Sequence, residues 1–227
     1  MDGLEALKPA MPSPLQLRPA DGRLRVLCLG AHSDDIEIGC AGTLLRWLAE
    51  HERVEVLWAV FAGAGERGAE TRRSARALLR GAAASEVVLG DFTDARLPAE
   101  FVRAKSFVAD LRDRMTPDVV LTHRLEDRHQ DHRLVGELTW QTWRSQPILE
   151  YEIPKYEGDL GQPNLFVPLA ASHGERKVKH LMKHFGSQRS KDWFDADAFQ
   201  GLMRLRGVEC RAPSGLAEAF HARKVVL

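Results

Sequence analysis

The chain has 227 residues, and 32 Lys and Arg balance 32 Asp and Glu, so the formal net charge is zero. With 44% hydrophobic and 28% charged residues it has the composition of a globular protein, which excludes wholesale disorder. A neutral chain is also no general binder of nucleic acid or anionic membranes.

No apolar run approaches the ~20 residues of a membrane span, and the first residues mix acids, bases and prolines unlike a secretory signal. Three scattered cysteines, Cys28, Cys40 and Cys210, do not make a disulfide framework. A cytoplasmic protein is expected, and a homo-oligomer is allowed.

Residues 1–22 read as a tail, and residues 23–227 as a single domain. Leu24–Leu29 is an apolar run of strand length that stops at Gly30. A polar loop is expected next, then a helix over Thr43–Glu50 with Leu44, Leu45 and Leu48 on one side. Val54–Phe61 reads as a second buried strand, Glu66–Ala83 as a helix and Glu86–Leu89 as a third strand. Phe101, Val108, Leu111 and Met115 keep helical spacing over Pro98–Met115, and Val119–Thr122 is a fourth strand. A helix follows around Leu134–Trp143.

Beyond it the pattern weakens. Ile148–Ile153 reads as a strand and Gly158–Pro168 as loop. Two helices close the chain: Gly174–Phe185, with Ser172 as its cap, and Asp195–Arg206, ended by Gly207. Strands alternating with long helices imply an α/β fold: a Rossmann-like, doubly wound, mainly parallel sheet with a C-terminal elaboration.

The chemistry gathers at two strand ends. The first strand runs into Gly30-Ala31-His32-Ser33-Asp34-Asp35; the fourth ends at His123, followed by Asp127-Arg128-His129-Gln130-Asp131-His132. In a doubly wound sheet these strands are neighbours, and ligands bind beyond their carboxyl ends. Two histidines and a carboxylate converging there make a catalytic type of metal site, with a fourth position open to water. His32, Asp35 and His132 fit that set, and Asp34 is then free to take a proton. The competing reading makes Asp34 or Ser33 a helix cap and the loop histidines surface residues.

The stretch Ala31-His32-Ser33-Asp34-Asp35-Ile36-Glu37-Ile38-Gly39-Cys40-Ala41-Gly42-Thr43, together with His129-Gln130-Asp131-His132-Arg133, resembles the PIG-L/LmbE family of zinc-dependent N-deacetylases. Arg67-Gly68-Ala69-Glu70 extends the likeness, which covers most of residues 24–145, and Tyr151–Tyr156 with Ser187-Gln188 is similar to a sugar-modifying subgroup. The resemblance implies one Zn2+ per chain, or another divalent metal, on His32, Asp35 and His132. It further implies Asp34 as general base, His129 assisting charge stabilisation and Asp131 orienting its neighbours.

The implied substrate is a small N-acyl sugar, with Arg67, Asp127, Arg128, Tyr151 and Lys155 as candidate contacts. Two departures stand out. Ser33 replaces the common proline, and Asp127 stands where some sugar deacetylases have a tyrosine, so Arg128 or the 151–156 stretch is left to supply an oxyanion donor.

Three other readings compete. Gly63-Ala64-Gly65-Glu66-Arg67-Gly68 matches the dinucleotide fingerprint of an NAD-dependent oxidoreductase, with Glu86 about 20 residues on. It follows the second strand rather than the first, however, and Asp34 and Asp35 would repel phosphate. His32-x-Asp34 with His132 also fits an Fe(II) oxygenase triad, which belongs on antiparallel frameworks. The last is a non-catalytic sugar-binding module with a vestigial metal site. His180 and His184, four apart on a helix, read as surface residues.

Overall fold

The computed structural model describes residues 17, 19 and 21–225, so most of the expected 1–22 tail lies outside it. The elements are β1 (Arg23–Gly30), α1 (Asp35–Glu50), β2 (Arg53–Val60), α2 (Gly65–Leu78), β3 (Ala84–Leu89), α3 (Phe101–Arg114), β4 (Val119–His123), α4 (Gln130–Thr142), β5 (Ile148–Tyr151), β6 (Leu165–Pro168), α5 (Ala171–His184), α6 (Ala196–Glu209) and β7 (Ala217–His221). The strands form one sheet in the order β3-β2-β1-β4-β5-β7-β6. The first five are parallel; β7 runs antiparallel to both β5 and β6. This is the doubly wound α/β sheet that the alternating pattern predicts.

Alternation along the strands builds two cores, one on each face. Val26, Cys28, Val56 and Trp58 join Ile36, Leu44 and Trp47 of α1 and Leu181 of α5 on one face. Leu27, Leu29, Leu57 and Phe61 meet Val108 and Leu111 of α3 and Leu134 and Leu138 of α4 on the other. Trp58 and Phe61 are fully buried, each worth on the order of 2–3 kcal/mol of apolar transfer. In register, Leu27 lies beside Val120 and Cys28 beside Leu121, so β1 and β4 end together.

Several boundaries differ from the sequence expectation. Helix α1 starts at Asp35, eight residues before Thr43, because Ile36, Ile38 and Cys40 are buried against the sheet. It breaks at Cys40 (φ −150°, ψ 15°). At Gly39 a Cβ would overlap the Tyr151 ring, so glycine lets β5 lie against the helix.

The expected loop over Gly158–Pro168 contains β6, and β7 was not anticipated. Ser172 caps nothing: α5 begins at Ala171 without a side-chain cap. Asp195 does cap α6, accepting from Asp197 N and Ala198 N at 2.8 and 3.2 Å. Gly207 lies inside α6 rather than ending it, and a Cβ there would overlap the Gly215 backbone. No helix among the described residues is long and apolar enough to cross a membrane.

Candidate metal centre

The ends of β1 and β4 face one crevice. His32 Nδ1 lies 3.1 Å from His132 Nε2 and 3.5 Å from Asp35 Oδ2, and His132 Nε2 lies 3.5 Å from Asp35 Oδ1. Ligand atoms on an ion at about 2.0–2.1 Å stand about 3.3–3.4 Å apart when tetrahedral; the two histidine nitrogens are near that spacing, while Asp35 meets each histidine through a different oxygen.

The far nitrogens are engaged elsewhere. His132 Nδ1 donates to Asp127 Oδ2 at 3.0 Å, and His32 Nε2 faces Asp94 Oδ1 at 3.0 Å and Asp131 Oδ2 at 3.2 Å. With a carboxylate behind each ring, the other nitrogen of each is left toward the crevice, the arrangement a metal-binding histidine requires. Burial by itself would lower the pKa of His32, but Asp35, Asp131 and Asp94 outweigh it and raise it. Burial, then neighbouring His123, lowers the pKa of His132 to about 4, so it is neutral near pH 7.

The charge balance points the same way. Asp34, Asp35, Asp94 and Asp131 crowd the crevice, with Arg67 the fixed cation between Asp34 and Asp94. Burial by itself would raise the pKa of Asp35; His132, His123 and His32 outweigh it and hold the carboxylate well below its ordinary range. An acidic pocket with ring nitrogens left toward it suits a divalent cation.

Asp34 does not act as a helix cap. It occupies the position before α1, yet makes no side-chain cap bond. Arg67 Nη2 donates to its Oδ1 at 3.0 Å, while its buried Oδ2 has no partner. Burial, then adjacent Asp35, raises its pKa. His129 caps α4, its Nδ1 accepting from Asp131 N at 3.3 Å, so the proton of the neutral ring sits on Nε2. Its ring stands edge-on to His32, with centroids 4.9 Å apart. Asp131 is fully buried; besides facing His32 it accepts from Ala95 N at 2.8 Å and Leu97 N at 3.1 Å, fixing the 94–97 turn.

The expected substrate contacts sit differently. Arg67 joins Asp34 to Asp94, with Nη1 2.9 Å from Asp94 Oδ2. Asp127 is buried, accepting from His129 N at 2.8 Å as well as from His132 and Lys155. It therefore supports the His132 ring and does not face the crevice. Tyr151 is a correction: it is only 1% exposed, its hydroxyl donates to Leu29 O at 2.6 Å, and it packs under Gly39. The Lys155 ammonium is engaged by Asp127 and Asp159. Arg128 is exposed and lines a separate depression of about 450 Å³.

Two residues of the site went unassigned in the sequence. His123 is fully buried at the end of β4, its Nε2 accepting from Ala31 N at 2.9 Å. That atom lies 3.0 Å from Asp35 Oδ2, and the ring stacks on His132 at 3.9 Å. Its place as the last residue of a central parallel strand was the available signal. Asp94 had none beyond following β3.

The fingerprint glycines have a packing role. Gly65 has φ +63°, and a Cβ on Gly68 would overlap Gly63 O. Beside this turn stand Asp34 and Asp94, no setting for a pyrophosphate. His180, expected on the surface, is buried and bonded to Ser74 Oγ at 2.7 Å.

A doubly wound α/β sheet with a cluster of histidines and carboxylates at its switch point defines the class: an α/β protein with a candidate metal-binding cluster at its strand ends. The family model for PIG-L, GlcNAc-PI de-N-acetylase, matches residues 27–143, and the chain belongs to that family.

The chain is 28% identical over 175 residues to the uncharacterized deacetylase YaiS of Escherichia coli (strain K12), covering 74% of this chain and 94% of that protein. Among solved structures, it resembles N,N'-diacetylchitobiose deacetylase from Pyrococcus horikoshii at a TM-score of 0.65 and 20% identity, covering 87% of this chain and 83% of that one. It resembles GalB, the 4-carboxy-2-hydroxymuconate hydratase of Pseudomonas putida KT2440, at 0.68 and 18%, covering 90% and 98%. The same fold thus carries more than one reaction, and the site must argue the chemistry.

Proposed function

We propose that the protein is a zinc-dependent hydrolase that removes the N-acetyl group from an amino sugar or a sugar-containing metabolite, giving acetate and a free amine. The observation that carries the reading is the pairing of two features: His32, Asp35 and His132 clustered within 3.1–3.5 Å of one another, and a buried Asp34 oxygen beside them without a partner. Family membership favours an amide as the bond cleaved.

His32, Asp35 and His132 would hold the ion, with Asp127 and Asp131 fixing the two rings from behind. A zinc ion there supplies Lewis acidity, which makes water acidic enough to ionise near neutral pH and polarises a carbonyl. Asp34 takes the proton from the attacking water through Oδ2, while Arg67 anchors Oδ1 and keeps the carboxylate from turning away. The raised pKa brings this base closer to the working pH, where proton transfer in both directions is efficient. His129 donates from Nε2 to the oxygen that gains charge as the carbonyl becomes tetrahedral. Asp34 then returns the proton to the amine nitrogen as the C–N bond breaks.

The test is acetate release from a panel of N-acetyl sugars, before and after chelation and after zinc is restored. Release lost on chelation and regained with zinc is expected. Full activity in a thoroughly chelated protein would contradict the metal assignment, and no acetate from any N-acetyl sugar would contradict the substrate class.

A further inference from the structure

Lys155 is held between two buried carboxylates. Its Nζ lies 3.0 Å from Asp127 Oδ2, and 2.6 and 2.8 Å from the two oxygens of Asp159. The three side chains are nearly buried, at 9%, 5% and 7% exposure, while Tyr156 and Glu157 of the same loop face solvent. Asp127 Oδ2 is also the atom that accepts from His132 Nδ1. Asp159 in turn accepts from Arg128 N at 2.6 Å, and its carbonyl accepts from Arg124 Nη1 at 2.8 Å. The loop after β5 is thereby fastened to the loop after β4, and the two wall the depression that Arg128 lines.

We infer that Lys155 and Asp159 are positioning residues for His132, acting through Asp127. The physical reason is charge. One ammonium draws two buried carboxylates within reach of a single atom; without it they face each other unscreened, a strongly unfavourable arrangement. Asp127 is the member with another obligation, and when it swings away from Asp159 it abandons the His132 ring. Supports of this kind, behind a ligand, typically govern metal affinity over a 10- to 100-fold range. The loop that carries Lys155 is thus part of the metal site's frame as well as a wall of the depression.

The inference rests on reading His132 as a ligand, and the experiment separates the two. Metal-free full-length protein is titrated with Zn2+ against a chromophoric chelator. Lys155→Met should weaken zinc binding by about 10- to 100-fold. Lys155→Met combined with Asp159→Asn removes the opposing charge along with the ammonium, and should recover most of that loss. A lysine that merely contacts substrate, or merely stabilises the fold, predicts no such rescue.

Lys155→Met binding zinc like the wild type, or a double variant no better than the single, overturns the inference. If the single variant does not fold, the double variant decides: zinc affinity near wild type supports the relay, and affinity as poor as in His132→Ala overturns it. A wild-type chain that binds no zinc at all refutes the proposed metal centre instead. The relay is then judged by the 15N signals of the His132 ring, which must change in Lys155→Met and return in the double variant.

Discussion

The start and the middle of helix α1 treat buried charge in opposite ways. At the start, Asp34 keeps one oxygen without a partner, and Asp35 lies 3.0–3.5 Å from nitrogens of three histidines. In the middle, where the helix breaks at Cys40, a buried Lys177–Glu218 pair closes the freed backbone groups. Glu218 accepts from Gly42 N at 2.9 Å and Thr43 N at 2.6 Å, and Lys177 donates to Ile38 O and to Glu218, both at 2.6 Å. Buried polar groups that are fully matched hold a fold together, and those left open are where chemistry is done. Both kinds meet the same 16-residue helix.

Substitution at the two places should therefore separate activity from stability. Asp34→Asn, at the open end, should cost at least ~10²-fold in turnover, the usual worth of a general base. Zinc content and thermal midpoint should hold in that variant. Loss of zinc, as in Asp35→Asn, would mean that base and ligand are exchanged.

At the closed end the expectation reverses. Lys177→Met leaves Glu218 buried without its cation and should destabilise the fold by about 3–5 kcal/mol, measured by denaturant unfolding. The surviving folded fraction should still bind zinc.

Between the two lies Glu37, buried and linked through Ser74 to His180. Burial, then His184, Arg176 and Lys183, depress the pKa of His180 to about 4. An unfolded histidine titrates near 6.5, so the unfolded state binds the proton first. The contribution of His180 is thus fully present above about pH 6.5 and lost as pH falls toward 4, about 3 kcal/mol in all. Glu37, whose pKa burial raises, works in the opposite sense over its own range. His180→Gln should flatten the fall in stability between pH 6.5 and 4; an unchanged slope would refute the assignment.

The smallest effect expected is that of Arg67→Ala, which releases one oxygen of Asp34. Removing one charged hydrogen bond should lower kcat about tenfold without removing zinc.

The same contrast explains what could be read from sequence. The parallel half was legible because its strands are long apolar runs divided by helices with a clear apolar stripe. Adjacency of β1 and β4 was enough to bring His32, Asp34, Asp35 and His132 together. The antiparallel edge was not legible. Strand β6 is four residues ending in Pro168, and β7 carries a buried Glu218 that breaks its apolar alternation. The supports behind the site were hidden for a related reason. Asp127, Lys155 and Asp159 meet through loops whose geometry no periodicity encodes, so Lys155 and Tyr151 read as substrate contacts when the fold uses them internally.

The proposed chemistry depends on the ligand set. Elemental analysis of purified wild type beside His132→Ala tests it most directly. About one zinc per chain in the wild type, with most of it lost from the variant, is the predicted result, because two remaining ligands hold the ion poorly. Full occupancy in His132→Ala would contradict the assignment and move the site to another group of this cluster.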